Sequence, residues 1–247
     1  MSPDSPTAPV AQSMDFAKYL NADEAPGESG DPPVPSDDRG DALAGLRNAY
    51  ARTAAWLGKE PFDTTATRFL DAHPQDARDV ARDVDAFVAW VGQCWPADPE
   101  VAEIAWIDGN LYLASLADDC GALAVSGLRA EHWDAVEIEF VPSLRFRPMR
   151  TNAVALWRAL SEGATAPPVH LVPGDIGARV WRQGSRPQVA AMTADESTCL
   201  DLALQGASFG EIRAFLDLTH DEEQTARIAG GCLGAWTAEG MVTALRR

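Results

Sequence analysis

The sequence predicts an α+β protein: an N-terminal helical domain, followed by a C-terminal winged-helix-like domain with short β-strands. Three observations point there. Apolar residues recur at helical spacing from residue 41 to about 119. Strict apolar/polar alternation begins at residues 136–141 (VEIEFV). After residue 192 come three Ser/Thr-x-x-Glu pairs, each a helix-start signature. With 247 residues, 46% apolar and 23% charged, the chain can build one large core or two small ones.

Residues 1–40 read as a disordered acidic tail. They hold 8 acids, 2 bases and many Pro and Gly, too little apolar surface to offset chain entropy. Within them, residues 10–20 place Met14, Phe16, Ala17 and Leu20 on one face of a short helix, either transient or a docking peptide.

Residues 41–134 read as a four-helix array with short connections. Leu43, Leu46, Tyr50, Ala54 and Leu57 form the first stripe, stopped at Gly58. Pro61 suits a first helical turn, and Phe62, Ala66, Phe69 and Leu70 follow it to His73-Pro74. Val80, Val84, Phe87, Val88 and Val91 make a third stripe. Val101, Ile104, Ala105, Asp108, Leu111, Tyr112 and Ser115 trace a longer fourth helix.

Residues 135–247 change texture. Residues 136–141 alternate as a half-buried strand does, and residues 144–147 alternate between Pro142 and Pro148. A short helix is expected at 153–160, and short strands at 169–172, 179–182 and 188–192. Thr193/Glu196, Ser208/Glu211 and Thr219/Glu222 predict helices starting near 194, 209 and 220. The first two are spaced as a helix-turn-helix across Gly206. In the third, Ala229, Gly230, Gly231 and Gly234 suggest close backbone approach, Gly240 stops the helix, and residues 241–245 form a last strand.

Composition narrows the function. The net charge of −17 argues against a general nucleic-acid binder or an anionic-membrane binder. No run approaches the ~20 apolar residues of a membrane span, and the N-terminus lacks the basic and apolar regions of a signal peptide. Cys94, Cys120, Cys199 and Cys232 are widely spaced and read as reduced residues of a cytoplasmic protein. His73, His132, His170 and His220 form no ligand pair, and there is no CxxC, no nucleophile elbow and no Walker lysine. Glu137 and Glu139 share a strand face, and Asp221, Glu222 and Glu223 sit in a helix first turn, where acids favour the macrodipole. No catalytic residues, metal site or cofactor are expected in this chain.

Charge is segregated. Residues 135–192 are the one positive stretch, with 4 acids against 7 bases, all arginine: Arg145, Arg147, Arg150, Arg158, Arg179, Arg182 and Arg186. Arginine makes forked bonds to carboxylates, and short strand edges accept an added strand. An acidic extended peptide could pair there; equally, these arginines could answer the acidic helical half.

The residues also carry a family resemblance. Arg47-Asn48-x-Tyr50, Leu57-Gly58-x-x-x-Phe62, Ala66-x-x-Phe69-Leu70-x-x-His73-Pro74 and Trp95-Pro96-x-x-Pro99-x-x-Ala102-x-x-Ala105-x-x-Asp108 come in order. Leu156-Trp157-Arg158, Val180-Trp181-Arg182 and Glu196 with Gly206-x-x-Phe209 follow. This series resembles the partner proteins of multinuclear non-heme iron-dependent oxidative enzymes (MNIO partners, the methanobactin type included), whose N-terminal domain was long labelled DNA-binding. The acidic tail has no counterpart in the pattern, and Asp108 stands where the family more often shows Glu.

The resemblance implies a non-catalytic subunit that forms a heterodimer with an MNIO-type iron oxidase. It would present the leader of a ribosomally made precursor peptide, with the iron in the oxidase. On this reading the peptide contacts are Val136, Ile138, Phe140, Arg179, Trp181 and Arg182, and the partner interface includes Trp157 and Arg158. The alternative is a helix-turn-helix transcription regulator, although residues 209–218 offer one base, Arg213, against Glu211 and Asp217. A stand-alone enzyme ranks third.

Overall fold

A computed structural model of the chain describes residues 38–73, 83–123, 133–174 and 176–246. The expected tail over residues 1–37, its segment 10–20, Pro74 and Val80 lie outside the described residues. Asp38 to Gly40 already belong to the first helix. The chain is mixed α+β with small antiparallel sheets.

Among the described residues, five helices make the first half: α1 (Asp38–Ala49), α2 (Ala51–Leu57), α3 (Lys59–Ala72), α4 (Val84–Cys94) and α5 (Pro99–Leu116). The stripe read as one helix over residues 41–57 is broken at Tyr50, with φ −113° and ψ 40°. Its ring is wholly buried, 4.4 Å from that of Phe87. Phe69 meets the same Phe87 ring edge-on at 5.0 Å. Gly58 joins α2 to α3 at φ +85°, a conformation that excludes side chains with a Cβ.

Helix α5 is buried on nearly every side, from Val101 to Leu111 and at Ala114. Such a helix is the axis of a core rather than its cover. It packs against α1, α2, α4, helix α6 (Ala153–Glu162), and strands β3 (Gly177–Gln183) and β4 (Arg186–Met192). The packing is tight at Gly109. A methyl group there would lie 2.7 Å from Val84 Cγ1 and 2.9 Å from the Tyr50 hydroxyl.

Strand β1 (Glu137–Phe140) pairs antiparallel with β5 (Val242–Arg246), with a register shift between Glu139 and Phe140. Strand β2 (Arg145–Pro148), β3 and β4 form a second antiparallel sheet in that order. The β3–β4 turn is closed by Gln183 facing Arg186, with Gly184 at φ +56°. This sheet is a wall between two cores. Ala178, Val180 and Val189 face the helical core, while Trp181, Ala190 and Met192 face a second core. Met149, Ala153, Leu156 and Trp157, assigned by sequence to the second half, pack into the first core. No full strand forms at 169–172. A single bridge joins Thr151 and Leu171, and Asn152 holds the segment by accepting from His170 N at 3.0 Å and donating to Pro168 O at 3.1 Å.

The second core is closed by α7 (Ala194–Leu204), α8 (Phe209–Leu216) and α9 (Glu222–Ala238). Ser208 and Glu211 make a reciprocal capping box. Thr193 accepts from Glu196 N at 3.2 Å, but the Glu196 carboxylate turns away into the core. The third box is shifted: Asp221 and Gln224 cap α9, and the Thr219 hydroxyl donates to Leu216 O instead. Gly230, Gly231 and Gly234 do not mediate close approach, since a methyl group at each would meet nothing within 4 Å. The close approach occurs at Gly210, where a Cβ would lie 2.6 Å from Asp134 O.

The same substitution therefore has opposite signs at two helical glycines. Gly109→Ala overpacks the core and lowers stability by roughly 1–3 kcal/mol. Gly234→Ala, in open space, raises it by about 0.5–1 kcal/mol through helix propensity alone. Urea unfolding midpoints of the two variants check both signs.

Candidate functional site

Several of the sequence-predicted site residues sit in a network of buried and half-buried polar groups. Asp108 sits on α5 and is 4% exposed. Its Oδ2 accepts from Arg52 N (3.1 Å), Thr53 N (2.8 Å) and the Thr53 hydroxyl (2.9 Å), which are groups of the first turn of α2. A carboxylate supplied from another helix thus caps α2, where the helix dipole favours negative charge. Its Oδ1 accepts from Trp157 Nε1 at 2.7 Å. Burial pushes the Asp108 carboxyl up to about 6, against the pull of these donors.

Trp157, expected at a partner interface, is 1% exposed and acts as this internal anchor. The Arg52 guanidinium lies 5.7 Å from its ring centroid and its Nε donates to Ser161 Oγ at 3.1 Å. Arg158, the other expected interface residue, is half-buried on α6. A second buried acid, Glu103, went unremarked in the sequence. It accepts from Arg150 N (2.5 Å), Thr151 N (3.1 Å) and the Thr151 hydroxyl (2.6 Å), tying α5 to the chain entering α6.

Of the expected peptide contacts on β3, Arg179 and Trp181 are buried and Arg182 is half-buried. Arg182 donates from Nη1 to the carbonyls of Ala114 (3.2 Å) and Ser115 (2.7 Å), which closes the C-terminal end of α5. Arg179 is 2% exposed and pairs with Glu196 and Glu239. Its guanidinium lies 5.1 Å from the Trp181 ring centroid. Trp181 is buried and donates to Glu239 O at 3.0 Å, and Trp236 donates to Glu196 Oε1 at 3.0 Å. Burial raises the Glu196 carboxyl above its ordinary value, with Arg179 opposing. All three β3 residues expected as peptide contacts are thus engaged within the chain, Arg179 and Trp181 buried and Arg182 half-buried.

The β1 residues divide. Val136 and Ile138 are buried, and Phe140 is half-buried against Trp236 at 5.4 Å between ring centroids. Yet Ile138, Phe140 and Val141 also line an open trench of about 700 Å³. Its other wall is Ala203 and the 46% exposed Leu204 at the end of α7. A hollow of about 230 Å³ adjoins it, sharing Cys120 and Pro142 and reaching Ala117 and Arg145 beside the end of α5. At its start β1 is covered, since Glu137 bridges to Ser208 and Phe209 N donates to Val136 O at 2.7 Å. The trench continues where that cover ends. There two of the expected peptide residues, Ile138 and Phe140, meet open space. No helix of the described residues is long and apolar enough to cross a membrane.

The chain matches no family model, and no curated protein or solved structure shows significant similarity to it.

Two outcomes follow. Asp108 holds its proton more tightly in the folded than in the unfolded chain. Its contribution is therefore fully present below about pH 4 and is lost as pH rises through about 6. Asp108→Asn lacks this titration. The stability gap between wild type and variant should be larger at pH 4 than at pH 7 by about 2 kcal/mol, read from urea unfolding at both. Arg182→Glu sets a carboxylate against the α5 carbonyls. It should cost about 2 kcal/mol or more, seen as a lowered thermal midpoint.

Proposed function

We propose that this chain is a non-catalytic partner subunit. It docks on an iron-dependent, peptide-modifying oxidase in the cytoplasm and presents the leader of a ribosomally made precursor peptide. The observation that carries the reading is the trench beside β1. An extended peptide laid there adds a strand to the two-stranded β1–β5 ribbon, main-chain bonds supplying affinity and alternate side chains supplying selectivity. Apolar side chains find Leu204, Val141 and Leu144, and an acidic one finds the exposed Arg145. The helices α7 to α9 followed by β5 are read as the winged-helix-like unit that holds the ribbon. The iron belongs to the oxidase.

The DNA-reading alternative has less support. The one base on α8, Arg213, lies 3.6 Å from Asp134, and the chain beyond it presents Phe215 and Leu218 rather than donors to phosphate.

The test is co-expression with the iron oxidase and a leader-binding assay by fluorescence anisotropy. The two proteins should elute together from size exclusion. Leu204→Arg should weaken leader binding about tenfold or more, about 1.4 kcal/mol, without moving the thermal midpoint. Separate elution of the two proteins refutes the subunit reading. Unchanged leader affinity in the variant removes the trench from it.

A further inference from the structure

Seven arginines mark the strand-rich middle of the chain, and the frame accounts for part of the set. Arg179 answers Glu196 and Glu239, and Arg182 closes the end of α5. Arg145 and Arg147, both on β2, stand apart from this. The chain carries 37 acids, yet no carboxylate among the described residues pairs with either arginine. Arg145 is exposed and donates from Nη1 to the carbonyls of Pro142 and Leu144, at 2.9 Å each. Arg147 is half-buried. Two guanidiniums without an acid, on so acidic a chain, are the charge complement of an acidic ligand.

The strand that carries them has a free side. β2 is the outer strand of its sheet, with β3 on one edge. Met149, just past β2, donates its N–H to Ile176 O in the same register as the β2–β3 pairs. Main-chain polar groups alternate between the two edges of an antiparallel strand, so Arg147 and Arg145 turn theirs toward β3 as Met149 does. Those of Phe146 consequently face outward, and no main-chain hydrogen bond among the described residues uses them. Pro148 has no N–H and closes this edge. The side chains of Arg145 and Arg147 share one face of the strand, about 6.6 Å apart along it.

We infer that the outer edge of β2 receives an extended acidic peptide, with two carboxylates spaced Asp/Glu-x-Asp/Glu facing Arg145 and Arg147. The middle residue exchanges main-chain bonds with the Phe146 N–H and C=O. Its two neighbours then stand directly opposite the arginines and on the same face, where cross-strand pairs of opposite charge meet. Adjacent acids do not fit, since successive side chains point to opposite faces. The hollow leads from the trench to this site: Arg145 lines it together with Pro142, and Pro142 also lines the trench. The inference names the acidic class of peptide for the presentation reading, and it rests on that reading for the identity of the natural ligand.

The experiment uses the full chain and two fluorescein-labelled probes of one composition, Gly-Val-Glu-Val-Glu-Val-Gly and Gly-Val-Val-Glu-Glu-Val-Gly, read by anisotropy at low salt. The alternating probe should bind about tenfold or more tighter than its isomer, and its affinity should fall as salt is added. Arg147→Glu should weaken the alternating probe about tenfold or more and leave the thermal midpoint in place, while Arg147→Lys should keep part of the affinity. Equal affinity for the two probes overturns the register, and unchanged affinity in Arg147→Glu overturns the site. An oligothymidylate of equal charge that binds more tightly than the alternating probe assigns the arginines to nucleic acid and overturns the peptide. Leu204→Arg, which tests the trench, should leave this short probe bound; loss of the probe in that variant overturns the β2 site. If the probe behaves as expected while leader affinity does not respond to Leu204→Arg, the trench falls and the β2 site stands; the converse removes the β2 site alone.

Discussion

Asp108 carries a carboxylate into the centre of the helical half, and a buried acid is tolerated only where donors converge on it. Four do: two amides and a hydroxyl from the start of α2, and the indole of Trp157 from α6. This explains why the α1–α2 run breaks. The amides at the start of α2 are free to meet Asp108 only if the chain departs from one continuous helix at Tyr50. The broken helix, the buried tryptophan and the placement of α6 in the first core all follow from satisfying one carboxylate. Burial of the site in turn raises the Asp108 carboxyl to about 6. Glu103, one and a half turns earlier on the same helix, does the same work for the backbone at Arg150 and Thr151.

The three-stranded sheet extends this frame into the second core. Because side chains alternate along a strand, β3 sends Ala178 and Val180 one way and Arg179 and Trp181 the other. A buried arginine facing an apolar core needs compensation, and Glu196 from α7 and Glu239 from the end of α9 supply it. Trp236 donates to the same Glu196 carboxylate, and Trp181 donates to the main-chain carbonyl of Glu239. Arg182, one residue on, leaves this cluster and reaches back to the end of α5. The two arginines of β3, Arg179 and Arg182, thus hold the two cores to one wall.

What could be read from the sequence was what depends on near neighbours. Helix spans, the alternation of β1, the Ser208 capping box and the stop at Gly240 are all set by residues within a few positions of one another. The misses have remote causes. The break at Tyr50 depends on an acid 55 residues from its partner Thr53. A charge count shows bases and not their partners, so it leaves open whether the arginines of the basic middle meet a ligand or acids of the same chain; one partner of Arg179 lies 60 residues away at Glu239. Glu196 fitted a capping box by spacing, yet a buried guanidinium outcompetes an exposed amide for its carboxylate. The glycines of α9 suggested close packing, but small residues permit approach without requiring it. Glu103 and Asp108 interrupt the apolar stretch of α5, and buried acids in such a helix need partners elsewhere in the chain.

The motif residues and the open surface therefore do different work. Asp108, Trp157, Arg182 and Glu196 of the ordered motif series, with Arg179 beside them, are occupied with one another or with helix ends. A residue so engaged cannot also grip a ligand without releasing a buried charge, which costs several kcal/mol. Whatever this chain binds must be met by groups with less to lose. Along β1 those groups are main-chain atoms and half-buried apolar side chains, which can accept an extended peptide while the frame behind them stays intact. On this view the frame fixes where β1 and α7 stand relative to each other, and the distance between them sets the width of the trench.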